Sequence, residues 1–178
     1  MAPLLGLTPD ALVFGREARG RPFLQHPQAP GFNLSDTPGG SLLAIAARGR
    51  PGVDIERLDR ALPVERLARR WFSAEERAAL QALPAELARA AFLRLWTAKE
   101  ASCKATGTGI FGYLAQWTFC VDAQVPILQS LPADAGDAER WHFERLQPSP
   151  EHTAVLAVYD APALVLSAFR THASAAGA

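Results

Sequence analysis

Residues 96–104 read WTAKEASCK and hold both lysines of the 178-residue chain, Lys99 and Lys104. The rest of the 18 basic residues are arginine, so lysine is used only here. The two types are not interchangeable. Arginine is a planar fork that stays protonated, whereas lysine is a compact ammonium whose pKa moves readily. A site that places a point charge beside a phosphate, or hands over a proton, has reason to keep lysine. The stretch belongs to a long predicted helix, from about Glu86 to Ala105, with Gly107 as its stop. On that helix Phe92, Trp96, Glu100 and Lys104 form one i, i+4 row, so an acid and an amine share a face with two aromatics.

Working outward, GVDIE (52–56) follows the RGRPG turn (48–52) and reads as a strand. Val53 and Ile55 fall on one face, Asp54 and Glu56 on the other. With the helix packed beside this strand, Asp54, Glu56 and Glu100 converge. Three carboxylates together call for a cation or protons, and an all-oxygen donor set favours Mg²⁺ ahead of zinc. Mg²⁺ held by few carboxylates completes its shell with waters and phosphate oxygens, and Lys104 beside it suits phosphate.

Each piece also has a plainer reading. Asp54 and Glu56 read as the wet face of a strand, neutralised by Arg57 and Arg60. Glu100 and Lys104 read as a helix pair worth roughly 0.2–0.5 kcal/mol. Glu76 reads as the capping-box partner of Ser73 in SAEE (73–76), and Phe92 and Trp96 as core. SDT (35–37) is first a turn. His26, His142 and His152 show no ligand spacing.

The remaining pattern places these motifs in an α+β chain. APGFNLSDTPGG (29–40) reads as a short extended piece ending in a turn, and SLLAIAA (41–47) as a buried strand. ALPVERLARRW (61–71) reads as a first helix, Ser73 opens a second, and Pro84 marks a break. QWTFCVD (116–122), RWHFERL (140–146), TAVLAVYD (153–160) and ALVLSAF (163–169) read as strands separated by turn signals.

Composition excludes other classes. Hydrophobic residues at 49% and charged ones at 20% fit a globular protein with a real core. A formal net charge of zero gives no footprint for nucleic acid or a membrane surface. Two cysteines, Cys103 and Cys120, make no disulfide framework, and the reducing cytoplasm is the simplest compartment. MAPLLGLTPDALVF lacks a signal peptide's basic start, no run is long enough for a membrane helix, and residues 173–178 are expected to be a disordered tail.

Taken together, GVDIE, FSAEE (72–76) and WTAKEASCK resemble the signature of the 4′-phosphopantetheinyl transferases. That pattern is a G-[IV]-D-x-E strand followed some forty-odd residues later by [FW]-[STC]-x-K-E-[AS]-x-x-K. Here Asp54 and Glu100 are 46 apart, and Trp96, Thr97, Lys99, Glu100, Ala101 and Lys104 meet every fixed position. GTGI (107–110) also fits, GRPFL (20–24) resembles the family's GKPxL, and FNLSDT (32–37) its FN[IL]SH[ST]. The D-x-E form and the upstream motifs point to the Sfp-like branch, and the resemblance covers roughly residues 12 to 170.

The resemblance implies a fold of two pseudo-twofold α/β halves with the first incomplete: residues 1–50 as a partial N-terminal half and 51–172 as the C-terminal half. MAPLLGLTPDALVF then resembles the end of a helix plus the next strand, and a reduced first half would invite a homodimer. It implies transfer of the phosphopantetheine arm of coenzyme A to a serine of an acyl or peptidyl carrier protein, releasing 3′,5′-ADP. Such chemistry serves fatty acid, polyketide or nonribosomal peptide synthesis. Asp54, Glu56 and Glu100 would hold Mg²⁺, with Mn²⁺ as a substitute, and Glu100 would take the serine proton directly or through a water. Lys104 would neutralise or protonate the departing phosphate, and Arg21, Ser35 and Asp36 would lie on the coenzyme A side. For Lys99 the pattern alone speaks, with either a structural or a phosphate-facing role. The family's histidine is Asp36 here, and a carboxylate there would repel the 3′-phosphate of coenzyme A. The alternative expectation is a truncated, non-catalytic homologue that binds carrier protein or coenzyme A without turnover.

Overall fold

The computed structural model describes residues 1–109, 112–162 and 165–169. After two short 3₁₀ turns come β1 (Phe14–Arg16), β2 (Pro22–Leu24), β3 (Gly31–Thr37), β4 (Gly40–Ala46) and β5 (Arg50–Arg57). Three helices follow, α1 (Val64–Trp71), α2 (Ala74–Gln81) and α3 (Ala85–Thr106). The chain then returns to strands: β6 (Thr118–Phe119), β7 (Leu128–Ser130), β8 (Trp141–Leu146) and β9 (His152–Tyr159). The fold is α+β, as the order of the sequence pattern predicts.

Its centre is a three-stranded antiparallel sheet in the order β5-β9-β8, with α3 laid across it. β9 is buried along nearly its whole length because it has a neighbour on both edges and α3 on one face. Ala91, Phe92, Leu93, Leu95, Ala98, Ala101 and Ala105 of α3 form the core with Val155, Ala157, Trp117 and Trp141. Phe72 stacks on Phe92 at 4.9 Å, and Trp117 meets Trp141 edge-on at the same distance. Small residues let α3 approach β5 backbone to backbone. A Cβ at Gly52 would stand 2.0 Å from the Ala101 carbonyl oxygen and 2.4 Å from the Ala105 nitrogen, so only glycine fits.

The helix signals hold. Ser73 accepts from Glu76 N and Glu76 accepts from Ser73 N, closing the capping box of α2. Gly107, with φ 75°, caps α3 in the left-handed region.

The strands depart more. GVDIE has no wet face: every residue of it is buried, because α3 covers one side and the β3–β4 hairpin the other. SLLAIAA is a strand but not a buried one. Its residues pair with β3, Leu34 opposite Leu43, and Leu34, Leu43 and Ile45 stay exposed on the outer face while Leu42 and Ala44 pack inward on Val53. QWTFCVD supplies only the two residues of β6, paired with β7, which lacks a strand signal in the sequence. ALVLSAF does not form the expected strand over its described part: Val165–Phe169 has no regular structure, with Val165 88% and Phe169 90% exposed. Ala163, Leu164, Ile110 of GTGI and the tail 173–178 lie outside the described residues. Among the described residues no helix is long and apolar enough to cross a membrane.

Candidate active site

β3, β5 and α3 meet in a cleft of about 850 Å³. Its wall includes Ser35 and Asp36 from β3, Asp54 and Glu56 from β5, and Glu100 and Lys104 from α3. Each element positions its side chains for a simple reason. Alternation along β5 turns residues 52, 54 and 56 toward α3, and the i, i+4 row of α3 turns Glu100 and Lys104 back toward β5. The convergence predicted for Asp54, Glu56, Glu100 and Lys104 is therefore present.

The contacts are specific. Lys104 Nζ donates to Asp54 Oδ1 at 2.7 Å and to Ser35 Oγ at 2.8 Å. Ser35 Oγ donates to the same Asp54 oxygen at 3.0 Å, closing a triangle. Asp54 Oδ2 is buried and has no hydrogen-bond partner among the described residues. Arg60, just past β5, forms an ion pair with Glu56 Oε1. Asp36 stands exposed at the rim.

Burial and mutual repulsion shape the acids. Burial holds Asp54 above the usual carboxylate range, against the pull of Lys104 and Ser35. Burial also raises Glu56, opposed by Arg60. Glu100 is pushed up to about 8, first by burial and then by the charge of Asp54. Burial is the largest cause of all three shifts, and the neighbouring carboxylate charges add to it at Glu56 and Glu100.

Among the described residues no three such side chains stand ready to hold a metal ion, and Lys104 and Arg60 hold two of the carboxylates instead. The donor set still fits a hard dication in kind. It offers three carboxylates with depressed ionisation and one buried carboxylate oxygen, Asp54 Oδ2, that lacks a partner.

Two sequence-predicted residues lie elsewhere. Arg21 is 8% exposed and does not line the cleft. Its guanidinium donates to the Lys104 and Ala105 carbonyls at the end of α3, to Phe32 O and to Pro51 O. It thus ties the C-terminus of α3 to β3 and β5. Lys99 is fully buried on the far side of α3, with Nζ 2.8 Å from Glu76 Oε2 and further bonds to the carbonyls of Leu114 and Trp117. Glu76 Oε1 accepts from Phe119 N at 3.0 Å, so this one carboxylate serves the α2 cap, α3 and β6 together. The capping reading of Glu76 holds and is incomplete.

Sequence reading missed Arg89. From α3 it donates to Leu58 O and Arg60 O and so fixes the turn after β5. An arginine on a polar helix face gives no sign of such a task. Arg60 was legible as a neutraliser of the strand's acids. Arg57, read the same way, pairs instead with Asp59 and Glu151.

The family model of the 4′-phosphopantetheinyl transferase superfamily matches residues 50–158, the span from β5 to β9. The 4′-phosphopantetheinyl transferase HetI of Nostoc sp. is 33% identical over 157 residues, covering 86% of this chain and 63% of that protein. The 4′-phosphopantetheinyl transferase psf-1 of Bacillus pumilus is 34% identical over 117 residues, covering 65% of this chain and 48% of that one. The chain thus spans between about half and under two thirds of the length of these relatives. A crystal structure of Thermotoga maritima holo-[acyl-carrier-protein] synthase matches with a TM-score of 0.49 and 23% identity over 62% of each chain. On the match over residues 50–158, this chain belongs to the 4′-phosphopantetheinyl transferase superfamily.

Proposed function

We propose that this chain transfers the 4′-phosphopantetheine arm of coenzyme A to a serine hydroxyl of an acyl or peptidyl carrier protein, with Mg²⁺ as cofactor. The observation that carries the reading is the meeting of Asp54, Glu56, Glu100 and Lys104 in one cleft, with Asp54 Oδ2 buried and without a hydrogen-bond partner among the described residues. Asp54, Glu56 and Glu100 would hold the metal, whose charge would offset that of the pyrophosphate.

The chain's own groups then have simple tasks. Glu100, in the cleft wall beside Lys104, takes the proton of the carrier serine directly or through a water. The serine oxygen bonds to the phosphorus that bears the pantetheine arm. The bond from that phosphorus to the bridging oxygen breaks, and 3′,5′-ADP leaves with the electron pair. Lys104, already oriented by Ser35, offers its ammonium to the charge that develops on the leaving phosphate. Positioning and charge stabilisation suffice for such a transfer. The proposed setting is the reducing cytoplasm, where free cysteines such as Cys103 and Cys120 persist.

The test is intact-mass measurement of an apo carrier protein incubated with the chain, coenzyme A and Mg²⁺, beside an EDTA control. A metal-dependent gain of one phosphopantetheine is expected. A folded sample that leaves several carriers unmodified would overturn the reading in favour of a binding-only homologue.

A further inference from the structure

We propose that Arg60 is a resident competitor for the metal and, once displaced, a ligand for the donor's phosphates; this rests on the transferase reading. Glu56 and Arg60 form an asymmetric pair. The Glu56 side chain is 6% exposed and the Arg60 side chain 47% exposed, so the acid is fixed in the wall while the base sits at the mouth. The guanidinium can leave into the open cleft, and the carboxylate cannot follow.

The pairing is built into the backbone. Arg60 lies in a turn closed by its own N–H to Arg57 O at 3.3 Å. Arg89 of α3 grips that turn from below, donating to Leu58 O at 3.1 Å and Arg60 O at 2.5 Å. The Cα of Arg60 is thereby held within reach of Glu56, whatever its side chain does. Its neighbour Arg57 is occupied, 2.6 Å from Asp59 and 3.4 Å from Glu151.

A dication on Glu56 and a guanidinium on the same carboxylate repel each other. Metal entry therefore displaces Arg60. A freed guanidinium is a planar fork suited to the two oxygens of a phosphate. Lys104 stands in the same relation to Asp54, so binding of one dication would free two cations for one polyanion. Metal and donor would then bind in a favoured order, metal first.

The experiment is Arg60→Gln, read in two assays that need no turnover. Free Mn²⁺ is titrated by electron paramagnetic resonance without substrate, and coenzyme A binding is measured by calorimetry at saturating Mg²⁺. Mn²⁺ affinity is expected to rise on the order of 10-fold, because a repelling charge is gone. Coenzyme A affinity is expected to fall on the order of 10-fold, because a charge-assisted ligand is gone. Arg60→Lys should lie between parent and Arg60→Gln in both, and Arg57→Gln should leave both within about 2-fold. A purely structural role would not move the two affinities in opposite directions. Unchanged or weakened Mn²⁺ binding in Arg60→Gln, or unchanged coenzyme A binding, overturns the proposal. Failure of carrier modification with opposite shifts intact would overturn the transferase reading and leave the competition standing.

Discussion

Lys99 and Lys104 sit on the same helix within one motif, yet they occupy two different kinds of region. Lys99 is sealed in the junction of α2, α3 and β6. Its partner Glu76 has both oxygens committed, to Ser73 N and to Phe119 N, besides the ammonium. Lys104 faces the cleft with 28% of its side chain exposed, and its partner Asp54 keeps one oxygen without a partner among the described residues. The first pair is closed and can only hold the fold. The second is open and can exchange partners. An identical pairing of ammonium and carboxylate becomes architecture or chemistry according to whether an unsatisfied atom and a route to solvent remain.

The comparison breaks most visibly at Lys99. Replacing it by Met leaves Glu76 buried without its counter-charge and is expected to destabilise the fold by about 3–5 kcal/mol, read from urea unfolding. A loss under about 1 kcal/mol would show that the junction pair is not structural. Lys104→Met is expected to spare stability by comparison, because Asp54 can take up a proton. It should lower the transfer rate by about 10²-fold or more, read by carrier mass. Equal loss of stability in the two variants would erase the distinction between the regions.

The cleft should also reveal itself through pH. Glu100 titrates near 8 in the folded metal-free chain and lower when unfolded. The folded state therefore binds the extra proton in between, and this contribution is present at acid pH and lost as pH rises through about 8. Urea midpoints without metal are expected to fall between pH 5 and pH 8, and Glu100→Gln should flatten that fall. A midpoint that rises over this range would contradict the assigned sign. The smallest expected effect is at the rim. Asp36→His removes a negative charge from the cleft and is expected to tighten coenzyme A by about 5-fold, since the group is exposed and screened. Unchanged affinity by calorimetry would place Asp36 away from the donor.

Legibility in the sequence followed the range of the interactions. The ends of α2 and α3 were readable because a capping box and a stop glycine act within four residues. The strand GVDIE was readable in position but not in burial, since its covering hairpin depends on pairings such as Leu34 with Leu43. ALVLSAF carries strand composition, and Val165–Phe169 forms no strand. The acids of the cleft were readable because strand and helix periodicities set their directions. The tasks of Lys99 and Arg21 were not. Arginine and lysine grip buried carbonyls with the same donors that grip phosphate, and only the three-dimensional surroundings distinguish the two uses.

Gly52 gives this arrangement a fixed gauge. Because β5 and α3 touch there through main-chain atoms, the span between the strand's two acids and Glu100 is set by the thickness of the polypeptide itself. Side chains can re-orient within that span, but none can widen it. A methyl group at position 52 would act as a shim, spreading the jaws of the cleft by an amount that no rotamer change at Asp54, Glu56 or Glu100 could take back. The position that carries no side chain thus calibrates the ones that do.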